Sequence, residues 1–465
     1  MVNFSGFAQY GKQKKADTLF NKFSFVKAAD EYKELIENNY NKDYATRRLA
    51  DCYAYLRDPN NAAKYYKKAV EQENVPIEYY YSYAQALRGI KDYKNSRIWL
   101  ERFKDSGGVI NANDFEKDVN FITNVFNAKQ QYFLDKISFN SKFSDFGAFE
   151  HNGKIYFASS RDEGVSVKRL YGWNEQPFLD VYVADVGTKT NVDHTAKIKG
   201  DVNSIYHDGP VTITKDGKTM YFSRNNLDEY GLSKDKKGIS NMKIYKATFR
   251  DSIWTDIEDL SINHAEYSTQ HPALNKDDSK LYFTSDLPGG FGGSDIYIVD
   301  INPDGTLGVP KNLGEVINTK NSEGFPFINN EGTLFFSSDG HPGLGLLDIF
   351  GTIQGENGEF VDVINLGIPI NSNKDDFSFS MNANGIAGYF ASNRTGGLGD
   401  DDIYAYHRVQ TLQLEGVVSD AINTKPIANS IITLFNDKDE QIAYMVTDEN
   451  GFYQINIDRN KDYKI

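Results

Sequence analysis

Seven histidines are the side chains best suited to metal or proton chemistry: His151, His194, His207, His264, His271, His341 and His407. No two of them stand at the helical spacing that clamps a zinc ion. His207-Asp208 and His271-Pro272 lie near the entries of repeated units, where burial explains them as readily as chemistry. The chain holds no Gly-x-Ser-x-Gly elbow and no Gly-x-x-x-x-Gly-Lys-Ser/Thr phosphate loop. Cys52 is the single cysteine, which excludes an intrachain disulfide, and its apolar helical surroundings read as an inert core thiol. Asp400-Asp401-Asp402 offers clustered hard oxygens to Ca²⁺ but lacks the spaced acids of a dedicated loop. An Asp also precedes an apolar-aromatic pair in one unit after another, at Asp180, Asp295, Asp348 and Asp402. An acid repeated once per unit reads as a cap on backbone amides, not as a reacting group. No catalytic, cofactor-binding or metal-binding residue is therefore assigned, no cofactor is expected, and the chain reads as a non-enzyme.

More than one domain must position these side chains. A chain of 465 residues exceeds one ordinary core, so two to four domains are expected. Tyr (30) and Phe (31) far outnumber Trp (3) and Met (5), a bias that suits pleated, β-rich packing. A net charge of −14 argues against nucleic acid as a partner, because phosphate binding needs a concentrated basic surface. No apolar run approaches the ~20 residues of a membrane span. Gly6-Phe7-Ala8 before Gln9 has the small-x-small form of a signal-peptidase cut, so residues 1–9 read as the remnant of an export signal and the protein as periplasmic.

From Gly11 to Phe103 small and apolar residues recur every 34 positions: Ala16, Ala50 and Ala84; Leu19, Tyr53 and Leu87; Ala28, Ala62 and Ser96; Tyr32, Tyr66 and Leu100. The pattern resembles the tetratricopeptide repeat, in which small residues let two antiparallel helices approach closely. A further helix, Asn113 to Lys136, is predicted to cap the stack, giving a helical segment over 10–136. Its concave face is expected to bind a protein segment, with Lys14, Lys15, Arg47 and Arg48 available to an acidic one.

After Lys136 the period becomes alternating, and five aromatic strands recur, each behind a turn. They end at Ser159, Ser223, Ser285, Ser337 and Ser392, and each is followed by a partner strand such as Asp295-Ile296-Tyr297. Asn152-Gly153 and Asp216-Gly217 supply the positive φ of tight hairpins. Five such units predict a propeller of about five blades over 137–408, with Phe133–Phe149 free to hold a further strand or close the ring. The units resemble the PD40 or TolB-type WD40-like repeat; Leu287–Asp295 and Thr395–Asp402 look like its envelope-protein version, and Asn312–Asn318 and Asn365–Asn371 form a second recurring phrase.

The alternating strands Leu412–Asp420 and Lys425–Leu434 and the turn at Asp448–Gly451 resemble a carboxypeptidase-regulatory-like, transthyretin-like β-sandwich over 411–465, read as cut short. The predicted fold class is therefore multidomain α + β: an α-solenoid, a β-propeller and a small β-sandwich in series. That order resembles the PorE-like, OmpA-family envelope proteins of Bacteroidetes. The resemblance implies a non-enzymatic periplasmic scaffold at the outer membrane, linking type IX secretion or gliding components to peptidoglycan through an OmpA-like domain these residues do not contain. Its implied partners are PorP/SprF-like outer-membrane proteins or other components of that machinery. Two alternatives stand beside it: a propeller-based glycan- or peptide-binding module, and the regulatory part of a truncated hydrolase.

Overall fold

The computed structural model describes residues 4–109, 121–128, 130–135, 137–161, 170–185, 195–229, 231–409, 412–457 and 461–465. Five four-stranded antiparallel sheets make up most of it. Blade 1 holds Asp145–His151, Lys154–Ser159, Asp180–Asp185 and Ala196–Lys197; blade 2 holds Asp208–Ile213, Thr219–Asn225, Met242–Arg250 and Ile253–Asp259. Blade 3 holds Thr269–Leu274, Lys280–Ser285, Asp295–Asp300 and Lys311–Asn312; blade 4 holds Glu323–Ile328, Leu334–Ser338, Asp348–Gln354 and Phe360–Asn365. Blade 5 is composite: Asp376–Met381, Ala387–Ser392 and Asp402–Arg408 take their outer strand from Tyr132–Asp135, ahead of blade 1 in sequence. The first strands of the blades lie side by side in a ring, the fifth beside the first, and form the inner wall. The five-bladed propeller read from the repeats is the architecture observed.

Side-chain chemistry repeats with the blades. Phe157, Phe222, Phe283, Phe336 and Phe390, on the second strands, are all buried. Each stacks on an aromatic of the third strand: Tyr182, Tyr245, Tyr297, Phe350 and Tyr404, with centroids 5.5–6.1 Å apart. Burying one such ring contributes on the order of 2–3 kcal/mol, and the pairing fixes strand register. A single asparagine per blade boundary then staples neighbours. Asn203 bonds both backbone groups of Val181, and Asn263, Asn318 and Asn371 do the same for Ile244, Ile296 and Ile349.

Among the described residues, six helices over 4–105 precede the ring: α1 (Phe4–Asn21), α2 (Phe25–Glu37), α3 (Lys42–Tyr55), α4 (Pro59–Val70), α5 (Glu78–Gly89) and α6 (Tyr93–Asp105). Asp58 and Asp92, 34 residues apart, cap α4 and α6 by accepting from Asn61 N and Asn95 N. The 34-residue columns are buried where helices meet: Ala16, Ala28, Ala50, Ala62, Ala84 and Ser96 are all within 2% of full burial. Asp17 accepts from Tyr32 and Tyr44, and Asp51, again 34 on, accepts from Tyr66 and Tyr79.

The predicted fold class needs correction all the same. The chain is mostly β, and its helices build no free-standing solenoid: residues 1–128 and 134–406 form one compact unit. The helical layer is docked on the propeller. Trp173 of blade 1 packs against Phe23, Phe25 and Tyr55, and Asn373 donates to Gly89 O. Gly89 serves the close approach of α5 to α4, since a Cβ there would lie 2.6 Å from Pro59 Cβ, while Leu346 of the propeller would be at ordinary contact distance, 3.4 Å. The predicted capping helix is helical over 121–127, but it does not reach 136, because Tyr132–Asp135 is spent as a strand; 113–120 lie outside the described residues. A second unit, 129–133 with 407–465, holds two two-stranded ribbons, Leu412–Val417 with Phe452–Ile457 and Ile431–Phe435 with Gln441–Val446. Among its described residues Ile432, Leu434 and Ile455 are the buried core, and the separate sandwich expected is not evident. Among the described residues no helix is long and apolar enough to cross a membrane.

Candidate functional site at the channel mouth

Four inner strands begin with a carboxylate: Asp145, Asp208, Glu323 and Asp376; blade 3 has Thr269 instead. Each carboxylate accepts from the backbone amide four residues earlier, at Ser141, Ser204, Thr319 and Ser372, at 2.5–2.8 Å. In blades 1, 2 and 5 it also pairs with an arginine that follows the second strand or ends it: Arg161 with Asp145, Arg224 with Asp208, Arg394 with Asp376. The same guanidinium lies over the blade's Phe–Tyr pair. Blade 4 lacks the arginine: Ser338 and Thr319 hydroxyls donate to Glu323, and burial lifts its carboxyl to about 7. Burial likewise lifts Asp208 to about 6, against the pull of Arg224. All four are shut away from solvent, so they hold the mouth in shape and do not face a ligand.

The acids before the apolar-aromatic pairs also serve the backbone. Asp295 caps Phe291 N and Gly292 N, Asp348 caps Leu344 N and Gly345 N, and Asp402 caps Gly399 N. Asp180 departs from the pattern and pairs with Lys197 at 2.5 Å. The triplet Asp400–Asp402 points three ways: Asp400 meets Gln176, Asp401 faces Ser144, and Asp402 turns to its own loop. Among the described residues no three His, Cys, Asp or Glu side chains converge as a metal ligand set.

The acids that do gather are ones whose neighbours in sequence are structural. Asp339 follows Ser338, Asp375 precedes Asp376, and Asp401 precedes Asp402, so all three sit in loops at the mouth. Arg57 reaches them from the α3–α4 turn, where its own φ of 56° is in the left-handed region. Its Nε stands 3.5 Å from Asp375 Oδ2, and Asp339 and Asp401 act on it through the field. Arg57 is exposed, with 40% of its side chain open to solvent. An exposed guanidinium over the half-buried Asp339 and Asp401 marks a vestibule beside the helical layer. Burial raises Asp401 to about 7, reinforced by Asp375 and Asp400; it raises Asp339 as well, with Arg57 opposing.

One or two residues along the inner strands, Phe146, Phe325 and Phe377 meet at centroid distances of 4.9–6.2 Å and narrow the channel. His271 stacks on Phe325 at 3.7 Å, and its Nδ1 accepts from Phe325 N. Burial depresses its pKa to about 3, which keeps the ring neutral. Every inner strand bulges here, with Gly147, Gly209, His271, Phe325 and Ser378 at positive φ. Beyond lies an apolar cavity of about 60 Å³ lined by Phe149, Val211, Pro272, Phe327 and Phe379.

The remaining candidates scatter. His207 accepts from Leu179 N between Tyr171 and Phe178, with its pKa lowered by burial to about 4; His341 bonds Ile317 O. His151 meets Asn152, His264 stacks on Tyr267, His407 stacks on Phe133, and His194 lies outside the described residues. Lys15 pairs with Glu31, Arg47 donates to Gln72, and Arg48 lies over Phe20 beside Asp51. Sequence reading missed Arg57, Asp339 and Asp375. The signal for two of them was present: each is an acid adjoining a structural residue that recurs from blade to blade.

No family model matches the chain, and no curated protein matches it. Solved structures do. A thermostable family-43 glycoside hydrolase is 14% identical, with 60% of this chain and 93% of that one covered at a TM-score of 0.39. The α-L-arabinofuranosidase of Lactobacillus brevis is 16% identical, with 58% and 91% covered at 0.38. A puromycin-hydrolysing peptidase of Mycobacterium tuberculosis is 10% identical, with 69% and 51% covered at 0.31. At these identities and TM-scores they carry no argument about this chain. Their printed names are those of hydrolases, which stands against the expected non-enzymatic scaffold and the expected absence of catalysis, and neither expectation is carried further. The PorE-like, tetratricopeptide and regulatory-like resemblances rest on the quoted residues only.

Proposed function

We propose that the chain is a propeller-based glycan-binding module whose ligand occupies the vestibule at the channel mouth. One observation carries this reading: Arg57, Asp339 and Asp401, all open to solvent in part, gather around the buried Asp375 above an aromatic constriction. Carboxylates and a guanidinium bond hydroxyl groups from both sides, and apolar ring faces take the C–H face of a sugar. A flat basic or apolar surface would suit a nucleic acid or a membrane; this cluster suits a polyhydroxylated molecule. The test is a panel of oligosaccharides titrated into the full chain and into Asp375→Asn. Binding by the wild type, weakened at least tenfold in the variant, supports the reading, and no binding to any saccharide contradicts it.

A hydrolytic form of the same reading is favoured by one pair. Asp401 is held protonated towards pH 7 by burial, while Asp375 faces the Arg57 cation. Glycoside hydrolysis requires two carboxyls, one as acid and one as base or nucleophile, and Asp401, raised by burial, suits the acid. Turnover of aryl arabinosides, xylosides and glucosides, abolished by Asp401→Asn, tests it. Periplasmic export and an outer-membrane protein partner stand as separate proposals, resting on Gly6-Phe7-Ala8 and on the sequence resemblance. Fractionation of the native protein tests the first and co-purification the second.

A further inference from the structure

Beside the vestibule, and sharing Arg57 with it, a cavity of about 130 Å³ lies between the helical layer and the propeller. Its apolar wall is Ala54, Ala62, Ala86, Pro59 and Leu346, and its polar groups include Arg57, Tyr81 and Gln85. The hydrogen bonds at Tyr81 leave a defined pattern open. Tyr81 Oη accepts from Asn321 Nδ2 at 2.6 Å and from Gln85 Nε2 at 2.7 Å, so its own hydroxyl hydrogen is left to donate. Gln85 Nε2 is also turned towards Asp339 O, which leaves the Gln85 carbonyl oxygen as an acceptor. Tyr66 and Ser82 also line the cavity, but Tyr66 Oη donates to Asp51 and Ser82 bonds Tyr66, so the cavity offers the Tyr81 hydroxyl and a guanidinium as donors, one amide-type acceptor, and a wall of small aliphatic groups.

That complement is the inverse of an acetamido group. The carbonyl oxygen takes the donors of Tyr81 and Arg57, the amide N–H takes Gln85 Oε1, and the methyl meets the alanine–proline–leucine wall. A hydroxyl in the same place would satisfy one or two of these groups and leave the apolar wall against water. We propose that the ligand is an N-acetylated amino sugar, or an oligosaccharide of such sugars, with the acetamido group seated in this cavity. This rests on the glycan reading of the vestibule and sharpens it.

The experiment compares three oligosaccharides of equal length, built from N-acetylglucosamine, glucosamine and glucose, by calorimetric titration into the full chain. The expected result is a preference of tenfold or more for the acetylated series over both others. Gln85→Leu and Tyr81→Phe, each checked for an unchanged melting transition, are expected to bring the ratio close to one. If either variant does not fold, the wild-type ratio and Ala86→Leu, which fills the wall, decide. Equal binding of acetylated and plain sugars overturns the acetamido assignment while leaving the glycan reading intact. Binding of none of the three overturns both, and binding of an acetylated peptide without any saccharide overturns the assignment in favour of a peptide ligand.

Discussion

Asn140 closes the propeller by bonding both backbone groups of Ile403, its Nδ2 donating to Ile403 O at 2.9 Å and its Oδ1 accepting from Ile403 N at 3.0 Å. The same staple recurs at every blade boundary, but only here does it join residues 263 positions apart. With the strand Tyr132–Asp135 completing blade 5, it lets the ring close through contacts among residues 132–408 alone.

Asn140→Ala removes two hydrogen bonds and strands two backbone groups of Ile403. The expected loss is about 2–3 kcal/mol of stability, read from urea unfolding. Asn371→Ala, at a boundary inside the chain, breaks the same two bonds to Ile349 and is expected to cost a similar amount. A change within about 0.5 kcal/mol for both, the scale of an ordinary surface substitution, would contradict the stapling role.

Arg224 is held by Asp208 and by the carbonyls of Asp201 and Val202. Arg224→Met leaves Asp208 buried without its counter-charge, at a cost of about 3–5 kcal/mol. The double change Asp208→Asn with Arg224→Met is expected to recover part of that loss, which thermal melting of the single and double variants will read. Additivity of the two single losses would argue against coupling through the mouth.

His271 predicts an acid sensitivity. Burial lowers its pKa to about 3, well below the free value of 6.5, so the folded state holds it neutral. Its contribution is complete above pH 6.5 and is lost as the pH falls through the window from 6.5 towards 3. Asn is tolerated at its positive φ, and His271→Asn removes the titration. Between about pH 7 and pH 5 the wild type is expected to lose about 2 kcal/mol more than this variant. Equal losses in denaturant melts at the two pH values would show that His271 is not buried as described.

The repeats were the legible part of the sequence, because a blade is built mainly from contacts that recur. The turns at Asn152-Gly153 and Asp216-Gly217, the strand phenylalanines and the capping acids Asp295, Asp348 and Asp402 all carry their roles in local spacing. The 34-residue columns showed which helix faces are buried, but not that the layer docks onto the propeller. That docking depends on Trp173 and Asn373, which donate to backbone carbonyls of the helical layer and lie outside the 34-residue columns. The site was hidden for the same reason. Arg57 lies in a helix turn and its partners lie some 280 to 340 residues later, so neither spacing nor periodicity links them.

Titration of the full chain and of Arg57→Ala with one saccharide series tests the vestibule, the central claim, most directly. The substitution removes the cation paired with Asp375 and widens the mouth beneath the helical layer. Saccharide binding by the wild type, and at least tenfold weaker affinity in a variant that still melts cooperatively, is the expected result. Unchanged affinity in a folded Arg57→Ala protein would place the ligand elsewhere and contradict the vestibule as its site.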